Sequence, residues 1–313
     1  MTPVFDVVVL GSANLDLVYS VERIPSPGET VLADGQARHP GGKGLNQAVA
    51  AARAGARTGF VGALGDDGAA DVLRSAMDDA GIDTSLVRAV AEPTGTALIT
   101  VQADGDNTIV VAAGANASVV RLRPAEADAI SGCTVLIAQL EIPVEVVAEG
   151  AALGRRAGTT VLLNAAPARP LADELLRLVD VLVVNEHEAK LLAAGPTTAS
   201  RGGHVDEPAD PAIAAATLLD RVGAVVVTLG AEGAVVLTGT AGPRRLPAPH
   251  VSVVDTTGAG DTFTGVLAAR LAAGASLPDA AERAVSAASL STRTRGAVPS
   301  IPTAEQVDAQ PAT

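Results

Sequence analysis

The sequence is poor in aromatic side chains, with no tryptophan, one tyrosine and three phenylalanines. It therefore offers no stacking platform for nucleic-acid bases. Cys133 is the only cysteine, so an internal disulfide and a zinc–cysteine cluster are both excluded. Basic residues are outnumbered, 22 against 35 acidic ones, for a formal charge of −13. That sign argues against a nucleic-acid surface or an anionic membrane as partner. The four histidines, His39, His187, His204 and His250, show no metal-ligand spacing. No stretch approaches the roughly 18 uninterrupted apolar residues of a membrane helix. The start of the chain carries Asp6 and only the short apolar run Val7 to Leu10, which is not a signal peptide. A cytoplasmic enzyme is the expectation.

What the chain does have is length, aliphatic side chains and glycine. Its 313 residues are 48% hydrophobic, with 32 glycines and 19 prolines, a globular composition rather than a disordered one. Length alone suits about two domains. The run Val7 to Leu10, closed by Gly11, has the pattern of a strand buried on both faces. Strand-like runs recur at Gly59 to Val61, Val135 to Leu140, Val161 to Leu163, Val181 to Val184 and Val225 to Leu229. They alternate with helical stretches such as Ala69 to Ala80, Val144 to Ala157, Pro211 to Arg221 and Asp279 to Ser291. The alternation predicts an α/β fold, a doubly wound and mostly parallel sheet flanked by helices.

Two regions interrupt that rhythm. Between about residues 19 and 38 the turn residues Pro25, Pro27 and Gly28 separate short extended pieces. Between about residues 94 and 112 two β-branched runs flank Ala103-Asp104-Gly105-Asp106-Asn107, a strong hairpin signal. Together they predict a small antiparallel β lid on a single domain spanning residues 1–313. Gly195 to Pro211, rich in Thr, Gly, Asp and Pro, is read as an exposed loop without chemistry.

Chemistry gathers at the corners. Val251 to Val254 predicts a strand, and Phe263, Val266, Leu267 and Leu271 have helical spacing, so Gly258-Ala259-Gly260 turns between them. Glycines let the backbone approach a ligand closely. Unpaired N–H groups and the dipole at the helix start make an anion site there, with phosphate its usual guest. Asp261 places a carboxylate beside it. Such a residue is either a helix-start Asp stabilised by the dipole or a general base for an alcohol, with the turn holding the phosphoryl group. Phe263 stands where a dinucleotide fingerprint needs its third glycine, and no Gly-Lys-Ser/Thr follows, so neither of those loops is present.

A second glycine cluster, Gly41-Gly42-Lys43-Gly44, opens the helix Ala48 to Ala54, with Lys43 and Asn46 as donors on the same rim. Asn14 and Asp16 follow the first strand at alternate positions and share a face if the chain stays extended. They either bind a ligand at the carboxyl edge of the sheet or shape a turn. Glu141 closes another strand, Asn185 and Glu188 follow a further one, and Thr228 to Gly233 follow the next, all toward that edge.

Three of these stretches resemble, in order, the motifs of the ribokinase-like family of sugar kinases: Gly41-Gly42-Lys43-Gly44-Leu45-Asn46-Gln47, Asn185-Glu186-His187-Glu188, and Asp255-Thr256-Thr257-Gly258-Ala259-Gly260-Asp261. The resemblance covers roughly residues 5 to 305. It implies an ATP-dependent kinase that phosphorylates D-ribose at the 5-hydroxyl. Asn14, Asp16, Gly42, Lys43, Asn46 and Glu141 would hold the sugar hydroxyls, Asp261 would be the base, and Gly258, Ala259 and Gly260 would cradle the phosphoryl group. Asn185 and Glu188 would organise magnesium and the nucleotide phosphates, through water. Thr228, Leu229, Gly230, Ala231, Glu232 and Gly233 would line the nucleotide site. Asp255, Thr257, Ser291, Thr294, Gly296 and Ser300 resemble a potassium site built mostly from backbone carbonyls. A homodimer through the lid sheet is also implied. The alternatives are a kinase for another pentose such as 2-deoxyribose, a kinase for a nucleoside, or a non-catalytic sugar-binding protein on the same fold. The intact Asp261 and glycine turn count against the last, and the missing glycine fingerprint counts against a nicotinamide-dependent dehydrogenase.

Overall fold

A computed structural model describes residues 4–102, 106–194, 210–239 and 241–309. Val7–Leu10 forms β1, and the chain then runs through β2 (Asn14–Val21) and β3 (Gly35–Gly41) into α1 (Lys43–Arg53). β4 (Thr58–Leu64), α2 (Gly68–Asp79) and β5 (Val87–Ala89) follow, then β6 (Gly95–Gln102) and β7 (Asn107–Ala112). Past a 3-10 turn at Gly114–Ser118 come α3 (Pro124–Gly132), β8 (Val135–Ala138), α4 (Val144–Ala157), β9 (Thr160–Asn164), α5 (Asp173–Leu176) and β10 (Val181–Asn185). Next are α6 (Glu186–Ala194), α7 (Pro211–Ala216), β11 (Ala224–Thr228), β12 (Ala234–Thr238) and β13 (Ala241–Leu246). The chain ends on α8 (Ala259–Ala272), α9 (Leu277–Ser291), α10 (Ala297–Ser300) and α11 (Ala304–Asp308).

Nine strands form the main sheet in the order β13-β12-β11-β10-β9-β8-β1-β4-β5. All pairings from β11 to β5 are parallel, and β11/β12 and β12/β13 are antiparallel. β1 lies inside the sheet, and its side chains alternate between two cores. Val7 and Val9 pack with Leu45, Phe60, Leu73, Phe263 and Leu267 on one face. Val8 and Leu10 pack with Ile130, Leu136, Val147, Leu163 and Leu176 on the other. Both faces exclude water, which is why the run carries no polar alternation. Each such burial is worth about 1.5–3 kcal/mol.

The second sheet has the order β3-β2-β6-β7. Its outer pairings are antiparallel, as expected of a lid, and β2 meets β6 in parallel between them. β2 begins at Asn14, earlier than the predicted boundary near residue 19, and residues 22–34 form no strand. The hairpin tip at residues 103–105 and most of the Gly195 to Pro211 loop lie outside the described residues.

One expected strand is absent. Val251 to Val254 is not in either sheet. The N–H groups of Val254 and Asp255 both donate to the Thr292 carbonyl, at 2.8 and 3.0 Å, so this end of the run is tied to the loop after α9 instead of a neighbouring strand. The helix expected over Pro211 to Arg221 stops at Ala216. Among the described residues no helix is long and apolar enough to cross a membrane.

Candidate active site

The centre of the site is the start of α8. Gly258 adopts a left-handed φ of 77°, and a Cβ there would come within 2.9 Å of the Ala297 Cβ, so the corner requires glycine. One turn later Asp261 is 8% exposed. Its Oδ2 accepts from Asn46 Nδ2 and its Oδ1 from Gln47 Nε2, both at 2.9 Å. Those donors come from α1, more than 200 residues away in sequence. They reach Asp261 because α1 and α8 pack closely at Gly265, where any Cβ would collide with the Gln47 carbonyl and Ala50.

Gln47 extends the network inward. Its Nε2 also donates to Asn164 Oδ1 at 3.0 Å, and its Oε1 accepts from Gln139 Nε2 at 2.6 Å. The sequence singled out Asn46 beside it but assigned Gln47, Gln139 and Asn164 no role. The only signal was a polar residue interrupting an apolar helix face.

The other side of the site is built on the first turn of α1 and on β2. Gly42, with φ 88°, lies against the backbone of Ala13 and Asn14, and Gly44 packs on Ser12. The helix has no cap from its own segment. Glu141 supplies one, its Oε2 accepting from Lys43 N at 3.1 Å and from Ser12 Oγ at 2.6 Å. One carboxylate edge of Glu141 is therefore occupied by the helix start. Asn14 is buried and bonded to Asn116 at 2.8 Å. Asp16 fills the space that a side chain at Gly41 would take. Burial first, then the Glu141 and Asp261 carboxylates, pushes the Asp16 carboxyl up to about 7. The Lys43 ammonium is held above its ordinary value, chiefly by Asp261, against the cost of burial and with help from Glu141 and Glu188.

Lys43, Asn164, Asn185, Glu188, Gly258, Gly260 and Asp261 line one polar cavity. Asn185 and Glu188 cap α6 reciprocally: Asn185 N donates to Glu188 Oε2 and Glu188 N to Asn185 Oδ1, each at 2.8 Å. Burial raises the Glu188 carboxyl above the usual range, partly offset by the Asn185 N–H and Lys43. Thr228 and Gly260 connect this cavity to a larger, mainly apolar cleft of about 270 Å³. Gly230, Ala231 and Gly233 line it. Leu229 turns into the core instead, and Glu232 is exposed outside the lining. Its far wall is His250, Val251, Val253, Phe263, Ala288 and Ser289. Val251 and Val253 belong to the run whose composition predicts a strand.

Behind the glycine corner, Asp255 gathers the chain. Its Oδ1 accepts from Thr257 N at 2.9 Å and Thr257 Oγ1 at 2.6 Å, and its Oδ2 from Gly296 N at 2.8 Å. Burial would raise its carboxyl, but the Gly296 and Thr257 donors, with Arg295 nearby, hold it below its ordinary value. Ser291 and Ser300 turn their hydroxyls to the Ala288 and Ala297 carbonyls, and Thr294 N bonds to the Ser291 carbonyl at 3.2 Å.

A buried carboxylate set between a face of polar side chains and an open helix start is an arrangement that a small-molecule kinase can use. Comparison with known proteins narrows that class. The family model described as pfkB family carbohydrate kinase matches residues 4–304. The ribokinases of Staphylococcus aureus and Haemophilus influenzae are each 39% identical, the first over 96% of this chain and 98% of its own length, the second over 95% of both. Arabidopsis thaliana ribokinase, solved with ribose and ATP, superposes with a TM-score of 0.88 at 34% identity, covering 98% of each chain. The chain belongs to the pfkB family of carbohydrate kinases.

Proposed function

We propose that the protein transfers a phosphoryl group from ATP to the 5-hydroxyl of D-ribose, giving D-ribose 5-phosphate and ADP, and that residues 1–313 act as one domain with its lid. The observation that carries the reading is Asp261, buried at the N-terminus of α8 with each oxygen held by an α1 amide. Each carboxylate oxygen has a second lone pair, which leaves acceptor capacity for a substrate hydroxyl. Asp261 takes the 5-hydroxyl proton as that oxygen bonds to the γ-phosphorus and the bond to the ADP oxygen breaks. Gly258 and Gly260 offer backbone N–H groups to the transferred group, whereas the Ala259 N–H, expected to join them, donates to the Thr256 carbonyl at 3.2 Å, and Lys43 adds positive charge. Asn14, Asp16, Gly42, Asn46 and Glu141 hold the remaining hydroxyls. The apolar cleft takes the adenine.

Among the described residues no cluster of three or more His, Cys, Asp and Glu is suited to a metal. Magnesium would therefore be held chiefly by the nucleotide phosphates and water, with Glu188 and Asn185 nearby. The buried Glu188 carboxylate suits that neighbour, since a cation offsets the burial that raises it. It would supply charge neutralisation at the phosphates. The corner around Asp255 fits a potassium ion in its chemistry, an all-oxygen set. Three hydrogen bonds already occupy the Asp255 carboxylate, so carbonyls around Thr257, Ser291, Thr294, Gly296 and Ser300 would carry most of the coordination.

The test is Asp261→Asn. General-base help is worth roughly a hundredfold to ten-thousandfold, so ribose-dependent ADP release should fall by at least about two orders of magnitude while ribose still binds. Turnover within a few-fold of the parent would return Asp261 to a helix-start role. A panel of pentoses and nucleosides assayed alongside separates ribose from its competitors.

A further inference from the structure

The roots of three lid strands meet at one point. β2 starts at Asn14, β6 starts at Gly95, and Asn116 follows β7 in the 3-10 turn. Asn116 is 1% exposed and Asn14 is 2% exposed. Asn116 Oδ1 accepts from Ala13 N at 3.0 Å. Its Nδ2 donates to Asn14 Oδ1 at 2.8 Å and to the Ala13 carbonyl at 3.3 Å. A backbone N–H only donates and a carbonyl only accepts, so Ala13 fixes which way the Asn116 amide lies. Asn116 then presents a donor to Asn14, and that fixes the second amide. The Asn14 oxygen is taken, and its NH₂ is the end left for a ligand. Gly95 closes the arrangement: a Cβ there would collide with both Asn116 Nδ2 and Asn14 Oδ1. The β6 backbone thus lies directly over the pair.

We propose that Asn116 is a positioning residue for sugar recognition. It holds Asn14 with the amide nitrogen toward the sugar, which makes Asn14 a hydrogen-bond donor to a sugar oxygen. This rests on the sugar-kinase reading above and adds to it a direction: the matching sugar atom must be able to accept. Because Asn116 sits at the base of the lid, the same contact ties the orientation of Asn14 to the strands that carry Asp16.

Asn116→Asp keeps the shape and the acceptor for Ala13 N but removes both N–H donors. The new carboxylate would draw the Asn14 NH₂ inward and turn its oxygen toward the sugar. The expected result is a ribose KM raised about tenfold to a hundredfold, with kcat and the ATP KM little changed. Gly95→Ala should produce the same split by pushing the two amides apart. In an Asn14→Ala background either change should add little, because the group being aimed is gone. An unchanged ribose KM, or a loss that persists undiminished in the Asn14→Ala background, would overturn the proposal. If Asn116→Asp does not fold, Gly95→Ala with and without Asn14→Ala completes the same cycle. A parent enzyme that releases no ADP with ribose would overturn the ribose reading and this proposal with it. An active parent with purely additive variants would overturn only the role of Asn116.

Discussion

Gln47 has no accessible surface, yet every polar atom of its amide is engaged. The chain Gln139–Gln47–Asn164 is bounded by groups that only accept, the Val183 carbonyl and the Asp261 carboxylate. Those ends fix all three amide orientations. Gln47→Leu should therefore act on the reaction more than on binding. A hydrogen bond to a charged group contributes about 1.5–3 kcal/mol, so kcat should drop roughly tenfold to a hundredfold while the ribose KM moves less. Steady-state kinetics on a variant shown by urea unfolding to be folded decides it; an unchanged kcat removes Gln47 from the positioning of Asp261. Asp16 makes a pH prediction. Its carboxyl is raised to about 7 by burial and by the Glu141 and Asp261 charges, and His39 stands opposite it in register. For a raised acid, the stability it contributes is present below its unfolded value near 3.9 and is lost as pH rises through about 7. On the proposed role of Asp16 in sugar binding, affinity runs the other way, because an acceptor for two hydroxyls forms only as the proton leaves. The ribose KM should fall from about pH 6 to about pH 8, and Asp16→Asn should flatten that fall. A parent KM already flat over this range would show that the ionised form is not what binds.

At the level of elements, the clearest features in the sequence were those whose signals are local. Four aliphatic residues closed by Gly11 marked β1, and glycine clusters beside small residues marked the starts of α1 and α8. What was hidden depended on distant partners. Val251 to Val254 has the composition of a strand, but its end bonds to the Thr292 carbonyl, and composition carries no record of that. Glu141 caps α1 from 98 residues away, and β12 and β13 form an antiparallel edge that the parallel rhythm did not predict. The lid came through as two β regions, though the parallel meeting of β2 with β6 did not. The corner before α8 carries its own expectation. Asp255 joins Thr257 to Gly296, so an ion bound among the neighbouring carbonyls would act by stiffening the turn proposed above to hold phosphate. Activity in potassium should exceed that in sodium or a bulky organic cation at matched ionic strength with saturating magnesium, and Asp255→Ala should abolish the difference. Equal rates in all three salts for the parent would remove the cation from the proposal.

For the whole molecule, the unbalanced feature is the lid. Register places Asn14, Asp16 and Val18 on one face with Gly95, Ala97 and Ile99 of β6 and with Ile109 and Val111 of β7. Beyond Asn14, Asp16 and His39 at its root this face carries Val18, Ile99, Ile109 and Val111 with Ser20 toward its end, and the opposite face carries Leu17, Leu98 and Val110 among Tyr19, Thr96, Thr100, Thr108, Gln36 and Arg38. A sugar seated at Asp16 would cover the root. It would leave the outer strand β7, where Ile109 and Val111 are 56% and 48% exposed. Apolar sheet faces of this kind are normally covered by a second layer, and the lid of a second copy, packed face to face, would supply it. The protein should therefore sediment as a dimer, at about twice 31.0 kDa. Ile109→Asp places a charge in the middle of that layer, and burying an unpaired carboxylate costs several kcal/mol, enough to shift the equilibrium to monomer at micromolar concentration. Sedimentation equilibrium of parent and variant measures this directly. A parent that remains at 31.0 kDa would leave the face to the sugar alone, and a variant that stays dimeric would move the interface elsewhere on the molecule.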